Sequence, residues 1–317
     1  MFEIANELFG NYQIVKIKNR DTGEYISVIP EYGLCLNEIV LESNGRLESI
    51  LLNNDNPNDF KTIFKPMFSG VKLFPFPNRV KDGKYQYNKV KYKLPQNDPP
   101  RNHSLHHFIY DQPFSLISFD KITGTTEFIY NNDGLFDYYP FPFSMSITVQ
   151  LINQGVVIKT VITNTGGSDI PFGDGWHPYI STGTKIDKLS VQIPSGTFLE
   201  VDEVLIPTMK KGVNEDFLQL NIVKDTSFDN CFIIDTKENK ASTIIYDPVK
   251  QLKIDIWQET GNDKYNYVQY YTPDNRKSIA VEPMSCAPNA INNGLGLIHL
   301  KPKEKKEFTF GIKILND

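Results

Sequence analysis

The chain has few cysteines and no long apolar runs. Its three cysteines, Cys35, Cys231 and Cys286, are widely spaced and form no CxxC pair, which predicts reduced thiols rather than a disulfide framework. No apolar run approaches the roughly 20 residues that cross a bilayer. The N-terminus lacks the basic start and apolar core of a signal peptide. We therefore expect a cytoplasmic protein that does not enter a membrane.

Positive charge is not in excess either. The 33 Lys and Arg residues are outnumbered by 38 Asp and Glu residues, which gives a formal net charge of −5. The basic residues are interspersed with acidic ones and form no stripe. This balance argues against nucleic acid or an anionic membrane as a partner.

Helical periodicity is scarce, because no apolar pattern of helical period exceeds two turns. Only residues 59–66 favour one short helix. Alternating segments at 143–152 and 156–163, joined at Gly155, predict a long antiparallel hairpin with one buried face. No linker or repeat divides the chain. We predict one all-β domain over residues 1–317, a large antiparallel sandwich with few short helices.

Phe172–Ile180 (FGDGWHPYI) is the most informative segment. Its glycines permit positive φ and close approach to a ligand, and Pro178 biases His177 toward extended geometry. Trp176 offers a flat apolar face, as pockets for sugars and other rings do. The segment predicts a rigidly held acid/base histidine, and a buried histidine in a tight turn is the alternative.

Three other positions could carry chemistry. Arg79, after Asn78 in a proline-rich loop, could offer a fork of donors to hydroxyls or a carboxylate. Glu282 ends an apolar strand, where desolvation would raise its pKa toward that of a general base. Asp229 precedes a short apolar strand. A solvated arginine, a charge at a strand edge and a turn-capping aspartate are the alternatives.

Three of the five histidines, His103, His106 and His107, fall within five residues. Imidazoles are common metal ligands, so a metal site is a competing interpretation. In a strand, His106 and His107 would point to opposite faces, which leaves His103 and His107 as the possible pair. Neither Ser285 nor Cys286 lies in a nucleophile elbow.

Taken together and in this order, these segments resemble the aldose 1-epimerase (galactose mutarotase) family. The matching segments are LFPFPNRVKDGKYQY (73–87), NHSLHHF (102–108), GDGWHPYI (173–180), FDNCF (228–232) and VEPMSCAPNAINNG (281–294). The resemblance implies an antiparallel β-supersandwich that interconverts the α- and β-anomers of a free hexose, such as galactose or glucose. It implies no cofactor and no metal, a monosaccharide as the partner, and a monomer or homodimer.

The resemblance also implies roles for individual residues. His177 would be the general acid and Glu282 the general base, with a nearby carboxylate keeping His177 partly protonated near neutral pH. The residues expected to contact the sugar are Arg79, His106, Asp229, Asn78 and Trp176.

Two departures stand out. His107 stands where the family usually has glycine, which could narrow the pocket or re-aim its loop, and Lys301–Lys306 replaces the usual Pro-Gly turn. No closely spaced arginines, as a sugar phosphate would require, are evident. The alternatives are a non-catalytic sugar-binding or sensor protein, an enzyme for an uncommon or phosphorylated sugar, and a metal-dependent isomerase. A glycosidase lacks a convincing second acid besides Asp229.

Overall fold

A computed structural model describes residues 1–52 and 56–316, and β-strands dominate it. In these ranges the strands are β1 Phe2–Phe9, β2 Tyr12–Asn19, β3 Tyr25–Ile29, β4 Cys35–Ser43, β5 Arg46–Ser49, β6 Lys72–Leu73, β7 Arg79–Val80, β8 Lys84–Tyr87, β9 Val90–Lys93, β10 Ser104–Leu105, β11 Ser115–Asp120, β12 Thr125–Asn132, β13 Phe143–Ile152, β14 Gly155–Asn164, β15 Ile170–Phe172, β16 Gly175–Trp176, β17 Tyr179–Ile180, β18 Ser190–Gln192, β19 Thr197–Val201, β20 Pro207–Val213, β21 Asn221–Ile222, β22 Asp229–Ile233, β23 Lys240–Asp247, β24 Leu252–Glu259, β25 Tyr267–Tyr271, β26 Ile279–Met284, β27 Ile298–Leu300 and β28 Lys305–Leu315.

Helical segments are short. The α-helices are α1 Pro57–Asp59, which continues into a π-helical turn at Phe60–Phe64, and α2 Ala290–Asn293. The 3₁₀ turns are Lys81–Gly83, Ile109–Asp111 and Ile186–Lys188. The all-β prediction with few short helices is confirmed, and α1 with its π turn lies where the sequence favours a helix. No helix among the described residues is both long and apolar enough to cross a membrane.

A nine-stranded sheet forms one layer, in the order β11-β12-β13-β14-β28-β24-β23-β18-β21. Strands β13 and β14 pair antiparallel from Phe143↔Asn164 to Ile152↔Gly155, as the alternating sequence predicts. Alternate residues of β13 are buried, because one face of this sheet packs on the core.

An eight-stranded sheet forms the facing layer, in the order β20-β19-β22-β25-β26-β16-β6, with β17 also pairing with β26. Rings from the two sheets meet in the core between them. Phe310 of β28 lies 5.8 Å from Trp176, and Phe308 lies 5.4 Å from Tyr265, both measured between ring centroids. One face of β16 therefore packs in the core, and its other face can line a site.

Other strands form smaller sheets outside these two layers. Strands β1 to β5 form a separate five-stranded sheet. Strands β7 and β10 form a two-stranded ladder that places Arg79 opposite Leu105. This ladder brings the loop segments at 73–80 and 102–108 together beside the eight-stranded sheet.

Candidate active site

A cleft with a volume of about 270 Å³ opens over the eight-stranded sheet. This volume is close to the lower end of the range typical of small-molecule sites, roughly 300 Å³. Six of the seven predicted site residues line it: Asn78, Arg79, His106, His177, Asp229 and Glu282. Segments spread along most of the sequence therefore meet in one place.

His177 follows β16 and is held by its backbone. Its N–H donates to the Val71 carbonyl (3.1 Å), and its carbonyl accepts from the Gly70 N–H (2.9 Å). Gly173 and Gly175, just before it, do not adopt positive φ. They allow close strand packing instead, since a Cβ on Gly175 would lie 2.9 Å from the Pro283 carbonyl oxygen. The glycines of this motif thus bring β16 against the segment that carries Glu282.

Glu282 lies in β26, directly opposite Gln269 of β25. Its side chain is 2% exposed. Among the described residues, its Oε2 atom is buried without a hydrogen-bond partner. Buried carboxylate oxygens are normally paired, so this atom is free to bind a ligand.

His177 and Glu282 are in contact. Nε2 of His177 lies 3.4 Å from Oε1 of Glu282, and both side chains are almost fully buried. They lie side by side on one wall of the cleft rather than on opposite sides of a ligand. This arrangement allows the two side chains to contact two oxygen atoms that are bonded to the same carbon of a ligand.

The protonation expected of His177 from the sequence is wrong. Burial disfavours the imidazolium and lowers the pKa of His177 to about 3. Burial also raises the pKa of Glu282 well above its usual value of 4.5, with a smaller contribution from the Asp229 charge. Both shifts favour the uncharged form of each side chain, a neutral imidazole beside a protonated carboxyl.

Asn78 and His106 hold each other in place. The His106 N–H donates to the Asn78 carbonyl (2.9 Å), and the Asn78 N–H donates to Nδ1 of His106 (3.1 Å). Burial lowers the pKa of His106 well below 6.5, so its ring is neutral. Because Nδ1 accepts a hydrogen bond, Nε2 carries the proton. His106 is thereby fixed as a hydrogen-bond donor in the wall of the cleft.

Arg79 belongs to a two-arginine cluster that the sequence did not reveal. Asp98 accepts from Nε of Arg79 (2.9 Å) at one oxygen and from Arg101 (3.1 Å) at the other. Both arginines line the cleft. Among the residues that the structure describes, Asp98 binds Arg79 through Nε, which leaves the terminal nitrogens of Arg79 available to a ligand.

Asp229 begins β22 and lies exposed at the mouth of the cleft. Its Oδ1 accepts a hydrogen bond from Nε2 of Gln269 (2.9 Å). Gln269 was not a sequence-based candidate. It joins the site because it lies between Asp229 and Glu282 in the sheet.

Aromatic side chains complete the cleft, but Trp176 is not among them. Tyr179 stacks on His177 with ring centroids 4.9 Å apart, and Phe68 lies 5.0 Å from the His106 ring. Trp176 is fully buried and packs on Phe310. Adjacent residues of an extended chain point to opposite faces, so Trp176 faces the core because its neighbour faces the cleft.

His103 and His107 lie outside the cleft. Nδ1 of His103 accepts from the Asp82 N–H (3.1 Å), and Nε2 lies 3.2 Å from the Val204 carbonyl, so both nitrogens are engaged. The His107 ring packs against Tyr138 instead of narrowing the pocket. Burial lowers the pKa of His107 to about 4. The pairing of His103 with His107 on a metal ion therefore does not suit this arrangement.

His106, His177 and Glu282 bring three potential metal ligands within 4.8 Å of one another. A ligating histidine normally donates its other ring N–H to an acceptor. Nδ1 of His106 does the opposite, because it accepts the Asn78 N–H. Ligation through Nε2 would require an imidazolate, so this donor set fits a metal ion poorly.

Comparisons with known proteins agree with this architecture. A family model described as aldose 1-epimerase matches residues 14–313. The uncharacterized protein YihR of Escherichia coli K12 is 29% identical over 77% of this chain and 78% of its own length.

Solved structures give the same fold. A galactose mutarotase-like protein of Clostridium acetobutylicum superposes with a TM-score of 0.86 at 20% identity, covering 100% of this chain and 99% of that one. A galactose 1-epimerase of Lactobacillus acidophilus superposes with a TM-score of 0.79 at 18% identity, covering 99% and 98%. The predicted galactose mutarotase-like β-supersandwich is confirmed.

Proposed function

The chain belongs to the aldose 1-epimerase family, and on that basis we propose that it interconverts the α- and β-anomers of a free hexose such as galactose or glucose. Family membership suggests an isomerase. The observation that carries the proposal is the 3.4 Å contact between His177 and Glu282 inside the cleft. Arg79, His106 and Asp229 hold the sugar hydroxyls, assisted by Gln269.

The reaction requires one proton to leave the C1 hydroxyl and one to reach the ring oxygen. The Glu282 carboxylate takes the first proton, and the protonated His177 ring supplies the second. As the C1–O5 bond breaks, C1 becomes an aldehyde carbon. Rotation about C1–C2 and reclosure by the reverse transfers give the other anomer. Each positioned acid or base contributes about 10²–10⁴-fold in rate.

The working state needs a single proton shared by the two side chains. Burial disfavours both charges and so favours this proton on Glu282. Transfer to the adjacent His177 creates the carboxylate and the imidazolium without exchange with bulk water. A polar ligand that contacts both groups stabilises this charged form.

Polarimetry on freshly dissolved α-galactose and α-glucose tests the proposal. We expect wild-type protein to accelerate mutarotation over buffer, and Glu282→Gln or His177→Ala to remove most turnover while sugar binding persists. Full activity in both variants would refute the assignment. Calorimetric sugar affinity without any rate acceleration would instead favour a non-catalytic binding protein.

A second candidate is the same reaction on a sugar with an anionic substituent, such as a phosphate. The observation that favours it is the Arg79–Arg101 pair, in which both guanidinium groups bind the carboxylate of Asp98. Guanidinium groups bind phosphate and carboxylate by paired hydrogen bonds. If the substrate is anionic, Arg101→Met should raise KM for a hexose 6-phosphate much more than for the free hexose.

A further inference from the structure

A buried ion pair lies behind the strands that carry the reacting groups. Lys72 and Asp174 are both fully buried, and Nζ of Lys72 lies 2.6 Å from Oδ1 of Asp174. His177 follows Asp174 by three residues of largely extended chain, which places their side chains on opposite faces. The ion pair therefore lies on the core side of the sheet, away from the cleft.

Asp174 bonds to two further segments. Its Oδ2 accepts from the Tyr265 hydroxyl (2.7 Å), just before β25. Its N–H donates to Ser285 Oγ (2.8 Å), and its carbonyl accepts from the Ser285 N–H (2.8 Å). Ser285 directly follows β26, the strand of Glu282. One residue thus joins the segment of His177 to the strand of Glu282.

Lys72 holds the same region from β6. Its Nζ donates to the Gly175 carbonyl (2.9 Å) and lies 5.1 Å from the centroid of the Trp176 ring. The neighbouring Val71 carbonyl accepts the His177 N–H. The ammonium group of Lys72 and the carbonyl of Val71 therefore hold the two ends of the short segment that presents His177.

Stability alone does not account for this pair. Burial lowers the pKa of Lys72 to about 8 and raises that of Asp174, so desolvation works against the charge on each group. Replacing a buried ion pair by uncharged groups of similar volume is often neutral or stabilising. What the pair supplies is directional bonds to several strands at once.

We propose that Lys72 and Asp174 are positioning residues, which tie β6, β16 and β26 together behind the cleft and thereby set the separation of His177 and Glu282. This inference rests on the proposed function, in which that pair moves the protons. A displacement of about 1 Å at reacting groups can cost about 10²-fold in rate.

The test compares Lys72→Met, Asp174→Asn and the double variant. Each single variant leaves a buried group without its partner and should be destabilised. The double variant removes both charges and should recover stability. Its kcat should stay about 10²-fold below wild type, while KM changes little because Arg79 and Asp229 lie on other elements. The control is Lys313→Met with Asp255→Asn, a partly exposed ion pair of the nine-stranded sheet, which should leave kcat unchanged.

A second readout does not depend on turnover. In ¹H–¹⁵N spectra of the imidazole rings, the signals of His177 should shift in the double variant, whereas those of the exposed His299 should not. If the double variant does not fold, Tyr265→Phe removes one hydrogen bond from Asp174 at no change in charge. The Tyr265→Phe variant should lower kcat and shift the His177 signals in the direction expected of the double variant.

The outcomes separate this inference from the proposed function. A stable double variant with wild-type kcat, or with unshifted His177 signals, overturns the positioning role. For Tyr265→Phe, wild-type kcat together with unshifted signals does the same. If the wild type turns over no sugar but the variants still shift the His177 signals, the positioning role is supported. Only the mutarotase activity is then rejected.

Discussion

The imidazole of His177 and the carboxyl of Glu282 approach to 3.4 Å, although they come from segments that are distant in sequence. In the proposed mechanism one proton passes between them, so they should act as a unit and the effects of removing them should not add. We expect Glu282→Gln and His177→Asn each to lower kcat by about 10²–10⁴-fold, and the double variant to be little worse than the poorer single variant. Initial rates by polarimetry measure this. A double variant whose loss equals the product of the single losses would mean that the two groups act independently.

The protonation of His177 should appear in the stability of the fold. Its pKa is 6.5 in the unfolded chain and about 3 in the folded protein. Between these values the unfolded state binds more protons, so the free energy of unfolding decreases as the pH falls from 6.5 toward 3. Glu282 shifts in the opposite sense and favours folding at low pH.

His177→Asn removes the histidine titration and keeps Glu282. The difference in unfolding free energy between the variant and wild type should therefore depend on pH. It should favour the variant more at pH 4 than at pH 7, by on the order of 1–3 kcal/mol. Urea denaturation at pH 7, 5.5 and 4 measures the difference. If that difference stays constant over this range, the imidazole is not held neutral.

Asp98 should matter for substrate affinity rather than for chemistry. It binds both Arg79 and Arg101, and the proposed mechanism gives neither arginine a proton to transfer. We expect Asp98→Asn to raise KM about tenfold, the equivalent of one charge-assisted hydrogen bond, with kcat nearly unchanged. Asp263→Asn, which breaks the ion pair with Lys306 elsewhere, is the control. A fall in kcat at constant KM would argue against this role.

Metal removal should have no effect. The hydrogen bond from the Asn78 N–H occupies Nδ1 of His106, which opposes metal ligation through its other nitrogen. We expect dialysis against EDTA to leave the mutarotation rate unchanged and added Zn²⁺ not to increase it. Loss of activity in EDTA with recovery on adding a divalent ion would instead support the metal-dependent isomerase.

The sequence predicted the fold and most of the cleft for identifiable reasons. The alternation of apolar and polar residues in β13 and β14 depends on neighbouring residues alone, so the sequence shows it directly. Trp176 was misplaced although the signal was present, since residues adjacent in an extended chain cannot share a face. By the same rule, Tyr179 could have been assigned to the face of His177.

Other features could not be read from the sequence, because they depend on contacts between distant segments. Gln269 enters the site through the register of β25 against β26. Arg101 enters through a carboxylate shared with Arg79. The pKa of His177 depends on burial by many chain segments, and the pattern of residues around it carries no such information.

Gly173 offers a test of how closely the strands behind the site are packed. A Cβ at this position would lie well inside van der Waals contact with Sγ of Cys286, and 3.2 Å from Pro77 Cδ. Gly173→Ala should therefore destabilise the protein by about 1–3 kcal/mol, as overpacking does, and should lower kcat because both reacting groups lie on the displaced strands. Denaturant unfolding and polarimetry measure the two effects.

Cys286→Ala in the same chain removes the sulfur atom that the new methyl group would meet. The double variant should recover most of the lost stability and of kcat, with a remainder from the Pro77 contact and from the Cys286 Cβ, also 3.2 Å away. Cys286→Ala alone, which only leaves a small cavity, is the control and should retain kcat. If the double variant is as impaired as Gly173→Ala alone, the contacts with Pro77 and with the Cys286 Cβ, rather than the sulfur atom, exclude a side chain at this position. If Gly173→Ala changes neither the stability nor kcat, the segments of His177 and Glu282 are not closely packed at this position.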